Sequence, residues 1–215
     1  MEFLSQLNPE QRQAVLHTDG PLLILAGAGS GKTRVIASRA AYLIAEGHAE
    51  PDRLLAVTFT NKAAEEMRGR VERLVDTGDR RLWISTFHAL CARVLRREGG
   101  VGLTRDFVIY DSSDQLAVVR SQRHQPREEP DAVPPGELQQ ESWSARGELV
   151  VKVYEGYRRA LGRANALDFD DLLLRTKELL ETAAPVRRRY AERFRFVMVD
   201  EYQDTNAPQY RLIRL

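Results

Sequence analysis

Residues 26–33 read AGAGSGKT. Glycines at 27, 29 and 31 permit tight turns and close backbone approach, so that successive N–H groups can point inward at an anion. Lys32 adds a point charge and Thr33 a hydroxyl, the pair that suits the β- and γ-phosphates of a nucleotide and its Mg2+. The strict phosphate-loop pattern has glycine at its first position, where this chain has Ala26. The candidate binding set is Ala26, Gly27, Ala28, Gly29, Ser30, Gly31, Lys32 and Thr33, with Arg34 directly after it. A second candidate lies far along the chain, where residues 196–204 read FVMVDEYQD. The apolar run delivers Asp200 and Glu201 at its end. Asp200 would hold the metal, directly or through water, and Glu201 would orient or deprotonate an attacking water. Phosphoryl transfer requires charge neutralisation on the phosphate oxygens and a placed water, so Lys32, Asp200 and Glu201 are the catalytic candidates.

The elements around these residues set where they can meet. Residues 22–26 (LLILA), 54–58 (LLAVT) and 82–85 (LWIS) read as strands. Asn8 with Pro9 caps a helix running to about His17. Residues 32–45 carry a helical apolar face at Val35, Ile36, Ala40, Leu43 and Ile44. Thr60 caps a helix over 61–75, and 86–97 continues in the same way. Alternating strands and helices imply an α/β domain with a parallel sheet covered by helices. The glycine-rich loop follows one strand and opens a helix, the context its chemistry needs. The segments 58–62 and 85–88 also follow strands, so they share the carboxy-terminal edge with the loop. Phe59 and Phe87 stand there beside polar and cationic groups, a setting for stacking on nucleic-acid bases; core packing is the competing reading of both rings.

The middle of the chain differs. Asp111 or Ser112 caps a helix to Arg123, and residues 125–136 (QPREEPDAVPPG) hold four prolines and read as a loop. A helical pattern returns over 137–163, with Leu149, Val150, Val153, Tyr154 and Tyr157 on one side. Asp168 caps a further helix rich in leucine, and 107–110 reads as an edge strand. The division is therefore a first part of the α/β domain over 1–110, a mostly helical inserted subdomain over 111–192, and a return to the α/β domain over 193–215. The three arginines at 187–189 read as a solvated helix face. The helical pattern that begins near Asn206 reaches Leu215 with no closing cap, which reads as a cut end.

Composition bounds the function. The chain has 215 residues, 43% hydrophobic and 29% charged, with net charge +1, which describes an ordinary globular protein. The longest apolar run, near 22–28, is too short to cross a bilayer. No leader pattern opens the sequence. A single cysteine, Cys91, excludes an internal disulfide framework and a cysteine-rich zinc site. A cytoplasmic location is the resulting expectation. Near-neutral charge leaves nucleic-acid binding open, since basic groups can gather on one face.

Taken together the motifs resemble the superfamily 1 DNA helicases of the UvrD/Rep/PcrA type. Residues 7–15 (LNPEQRQAV) are similar to the family's Q motif, 26–33 to its Walker A, and 58–68 (TFTNKAAEEMR) to motif Ia. Residues 85–91 (STFHALC) are similar to the next DNA-facing motif, 167–173 (LDFDDLL) to the end of the inserted subdomain, and 199–206 (VDEYQDTN) to motif II. The resemblance implies an incomplete RecA-like phosphate-loop domain with Gln11 reading adenine and Gln203 coupling the nucleotide site to DNA. It implies a single-strand path lined by Phe59, Asn61, Lys62, Thr86, Phe87 and His88. It also implies ATP and Mg2+ as cofactors, single-stranded DNA and duplex junctions as partners, and 3′→5′ polarity. The inserted subdomain is shorter than the family carries, and the second RecA-like domain with its arginine fingers does not follow motif II. The implied activity of these residues alone is therefore weak nucleotide binding and slow or no hydrolysis. Two other readings stay open on the same residues: part of a helicase–nuclease subunit, and a nucleotide-binding interaction module without motor activity.

Overall fold

The computed structural model describes residues 1–27, 29–99, 102–123 and 141–215. Ala28 and the proline-rich loop expected over 125–136 lie outside the described residues. In chain order the elements are α1 (Pro9–Leu16), α2 (Lys32–Ala45), β1 (Leu54–Thr58), α3 (Asn61–Leu74), β2 (Trp83–Thr86), α4 (Phe87–Glu98), β3 (Val108–Ile109), α5 (Ser112–Arg123), α6 (Glu141–Arg163), β4 (Ala166–Leu167), α7 (Phe169–Thr182), α8 (Ala184–Arg193), β5 (Phe196–Val199) and α9 (Ala207–Arg214). Short 3-10 turns lie at Glu2–Gln6, Pro51–Arg53 and Tyr202–Asp204.

Local chemistry explains the starts. The Asn8 side chain accepts from the Gln11 amide while the Gln11 side chain accepts from the Asn8 amide, a reciprocal cap at α1. Asn206 and Gln209 repeat that arrangement at α9. The Thr60 hydroxyl caps α3 through the Ala63 amide. Asp168 Oδ1 accepts from the Asp171 amide at the start of α7.

Two compact units result. The first comprises Met1–Arg93 and Thr176–Leu215. Its sheet is parallel, in the order β2-β1-β5, with Leu55 beside Trp83 and Leu54 beside Phe196. Central β1 is buried along its whole length, as a strand covered on both faces must be. Ala37, Ala40 and Leu43 of α2 and Ala64, Met67 and Val71 of α3 join Leu54, Ala56, Ile84 and Met198 of the sheet in one core. Helix α8 ends in a ring cluster, with Phe194 edge-on to Trp83 at 5.0 Å and 6.1 Å from Tyr190. The first unit takes up the chain again at Thr176.

The second unit is Val94–Arg175. It is mostly helical. Tyr157, Leu161 and Ala166 form its core with Tyr110, Val118 and Val119. Strand β3, inside the expected 107–110 strand, pairs in parallel with β4, which the sequence pattern did not announce. The Tyr157 hydroxyl donates to Asp168 Oδ2 at 2.8 Å.

One expected strand is corrected. Residues 22–26 form no ladder with any strand among the described residues, and Leu22, Leu23 and Leu25 are 40%, 67% and 86% exposed. Both sides of β1 are already taken by β2 and β5. An apolar run becomes a strand only by pairing, and a single extended segment has no independent stability.

Candidate active site

The phosphate loop sits where the chain enters α2. Gly29 and Gly31 adopt φ of 75° and 84°, left-handed conformations that a side chain would strain. A Cβ at Gly31 would also come within 3.1 Å of Gln11 Nε2. Gly31 is the N-cap of α2 and offers no side chain to the first-turn amides, and no acidic residue lies in that turn. Those amides and the helix dipole are therefore directed at an anion. Lys32 Nζ donates to the carbonyls of Ala26 (3.1 Å) and Gly27 (3.2 Å), which holds the ammonium over the loop. The Ser30 hydroxyl donates to Gly27 O at 2.7 Å.

The decisive geometry joins the two halves of the site. Asp200 continues the β1–β5 ladder, its amide donating to Val57 O at 2.9 Å, which fixes its place at the carboxy-terminal edge. The Thr33 hydroxyl donates to Asp200 Oδ2 at 2.9 Å, across 167 positions of sequence. Asp200 is 5% exposed and its Oδ1 accepts from the Glu201 amide. Glu201 has φ 48°, a left-handed conformation just past the end of β5. Gln203 Nε2 donates to Glu201 Oε2 at 2.5 Å and reaches Asp204 Oδ2 at 3.5 Å.

The donor set fits a hard divalent cation. A hydroxyl and a carboxylate are oxygen ligands suited to an ion that retains water and phosphate ligands. Among the described residues no group of three or more His, Cys, Asp or Glu side chains forms a metal cage.

Around the loop, Gln11 Nε2 donates to Ser30 O at 3.0 Å, so the amide expected to read a base touches the loop itself. Arg34 is exposed and donates to Gln6 O and Oε1. The sequence reading missed Arg39. It is buried, its charge disfavoured by desolvation, and it donates to Ala14 O at 2.8 Å and to His17 O, fastening the end of α1 to α2. The available signal was an arginine on a helix face otherwise made of Val35, Ala40 and Leu43.

The residues expected to meet nucleic acid divide. Asn61 and Lys62 are exposed, Phe59 and His88 half-buried. Phe87 is 2% exposed and Thr86 is 8% exposed, with Thr86 Oγ1 accepting from the Ala89 amide. Phe87 is thus packed in the core, and Thr86 caps the start of α4. Phe87 meets Phe59 edge-on at 5.9 Å, so the buried ring supports the more exposed one.

A cradle of this kind belongs to the phosphate-loop nucleotide-binding α/β proteins. A family model described as UvrD/REP helicase N-terminal domain matches residues 7–215, and the chain belongs to that family. It is 44% identical to the ATP-dependent DNA helicase PcrA of Staphylococcus aureus (strain Mu50) over 231 aligned positions, covering 99% of this chain and 32% of that relative. The PcrA of Staphylococcus epidermidis (strain ATCC 35984) matches with the same identity and coverage. The chain thus spans about a third of the length of these relatives. No described helix is long and apolar enough to cross a membrane.

Proposed function

We propose that the chain is the N-terminal ATP-binding part of a cytoplasmic ATP-dependent DNA helicase that moves 3′→5′ on single strands and opens duplex junctions. The observation that supports this most is the hydrogen bond from Thr33 to Asp200, which brings a phosphate loop and an acidic strand end to one rim. In this reading Lys32, Ser30 and the amides at the start of α2 bind the triphosphate. Thr33 and Asp200 hold Mg2+, which when bound neutralises charge on the β- and γ-oxygens. Glu201 accepts a proton from, and orients, the attacking water. Gln203 fixes the Glu201 carboxylate, and its position between Glu201 and Asp204 suits a link from hydrolysis to DNA. Gln11 reads the adenine edge. Phe59, Asn61, Lys62 and His88 line the single-strand path, with Phe87 as the ring behind Phe59. A second RecA-like domain of the same protein completes the cleft.

In the full-length protein, Lys32→Ala and Glu201→Gln should each abolish ATP turnover stimulated by single-stranded DNA. Ordinary turnover in either variant overturns the assignment.

A further inference from the structure

The edge of the three-stranded sheet opposite the phosphate loop carries a second charged feature. It is built from the residues that enter the strands: 50–53 before β1, 79–81 before β2 and 193–195 before β5. The register sets Leu54 beside Phe196 and Leu55 beside Trp83. Arg81 stands two residues before β2, Arg53 closes the 3-10 turn that leads into β1, and Arg195 directly precedes β5, in the strand order β2-β1-β5. Adjacent strands lie about 4.8 Å apart, so the three strands they lead into span about 10 Å. All three arginines are exposed.

Their neighbours do not neutralise them. Glu50 pairs with Arg80, and Asp52 pairs with Arg193 at 2.8 Å. Arg53, Arg81 and Arg195 form no ion pair among the described residues; Arg195 has only the adjacent Phe196 ring, at 5.7 Å. Asp79 is the remaining carboxylate of these entries. A chain of net charge +1 thus concentrates positive charge on the side away from its nucleotide site. Like charges at such spacing repel, and an anionic partner relieves that repulsion.

We propose that this arginine row is a docking site for an extended acidic segment of a partner protein, with Asp or Glu at alternate positions. The planar guanidinium fork matches carboxylates in a bidentate manner. Alternate side chains of an extended peptide fall about 6–7 Å apart, within reach of long arginine side chains on neighbouring strands. One observation favours a peptide over nucleic acid. The edge presents no open ring for base stacking, because Trp83 is 3% exposed and covered by Phe194 and by Arg93, whose guanidinium lies 3.6 Å from the ring centroid.

The test uses the full-length protein and a fluorescein-labelled peptide of alternating glutamate and serine, followed by anisotropy at low salt. Binding is expected to the glutamate peptide and not to its glutamine counterpart. It should persist with saturating oligo-dT, since the proposed single-strand path is at the other edge. Arg53→Gln, Arg81→Gln and Arg195→Gln combined should weaken it about tenfold, each exposed pair contributing a factor of about two to three. The combined variant should retain its melting temperature and DNA-stimulated ATP turnover. A second variant, with lysine at the same three positions, keeps the charge and should retain much of the affinity. No binding by the unaltered protein, equal affinity in the glutamine variant, or displacement of the peptide by oligo-dT would each overturn the proposal. Loss of oligo-dT affinity in the glutamine variant with peptide binding intact would assign the row to nucleic acid instead.

Discussion

Replacing Thr33 by valine removes one hydroxyl and almost no volume. In the structure that hydroxyl is the donor to Asp200 Oδ2, on a carboxylate that is 5% exposed. A hydrogen bond to a charged group contributes about 1.5–3 kcal/mol, and the half-exposed position of Thr33 puts this one near 1.5 kcal/mol. That is about a tenfold change in the folding equilibrium. With a urea slope of about 2 kcal/mol per molar, the unfolding midpoint should fall by about 0.7 M. A second effect follows if the hydroxyl also holds the metal. Mg2+ with ATP at about a hundred times its dissociation constant stabilises the unaltered chain by about 2.7 kcal/mol, and Thr33→Val should lose most of that gain. Thr33→Ser, which keeps the hydroxyl, should restore both. Urea titrations with and without Mg2+ and ATP read the two effects separately. An unchanged midpoint together with full nucleotide stabilisation in Thr33→Val would refute the reasoning about this contact.

The two rings at the sheet edge should separate in their effects. Phe59→Ala should weaken oligo-dT binding by about 5- to 150-fold, the value of one stacked base, with little loss of stability. Phe87→Ala should cost about 3–5 kcal/mol of stability because its ring is 2% exposed; equal effects of both changes in both assays would reject the division. Burial pushes the Cys91 thiol up to about 12 from its ordinary 9, so the neutral thiol favours the folded state. The sign follows: that contribution is complete below pH 9 and is lost as pH rises towards 12. Thiol labelling near pH 8 should therefore proceed only as fast as the chain opens, and rapid labelling of the folded chain would contradict the burial.

Most of the first unit was legible because its signals are local. Asn8–Pro9, Thr60 and Asn206 announce helix starts by side chains that satisfy nearby amides, and the helices begin there. The apolar runs 54–58 and 196–199 are both strands in the sheet. The glycine-rich turn into α2 was legible for the same reason, since Gly29 and Gly31 set its left-handed backbone locally. Long-range conditions escaped the pattern. Whether 22–26 is a strand depends on a neighbour, and the hydropathy of LLILA carries no information about one. Phe59 and Phe87 each follow a strand with similar neighbours, yet only packing decides which ring is covered. Strands of two residues, such as β4, are too short for any periodicity to register.

The same topology explains how the site tolerates so long an interruption. Asp200 reaches Thr33 because β5 pairs with β1, not because the chain between them leads there. Closing a loop costs entropy that grows only with the logarithm of its length, so halving the 167-residue separation would recover about 0.6 kcal/mol. Residues 94–175, roughly half of that separation, also bury their own core around Tyr157, Leu161 and Ala166. They therefore offset their own ordering cost and place little of it on the sheet. The nucleotide site needs only that the strand bearing Asp200 return in register beside Leu54–Thr58, and the insertion is free to vary in length while that register holds.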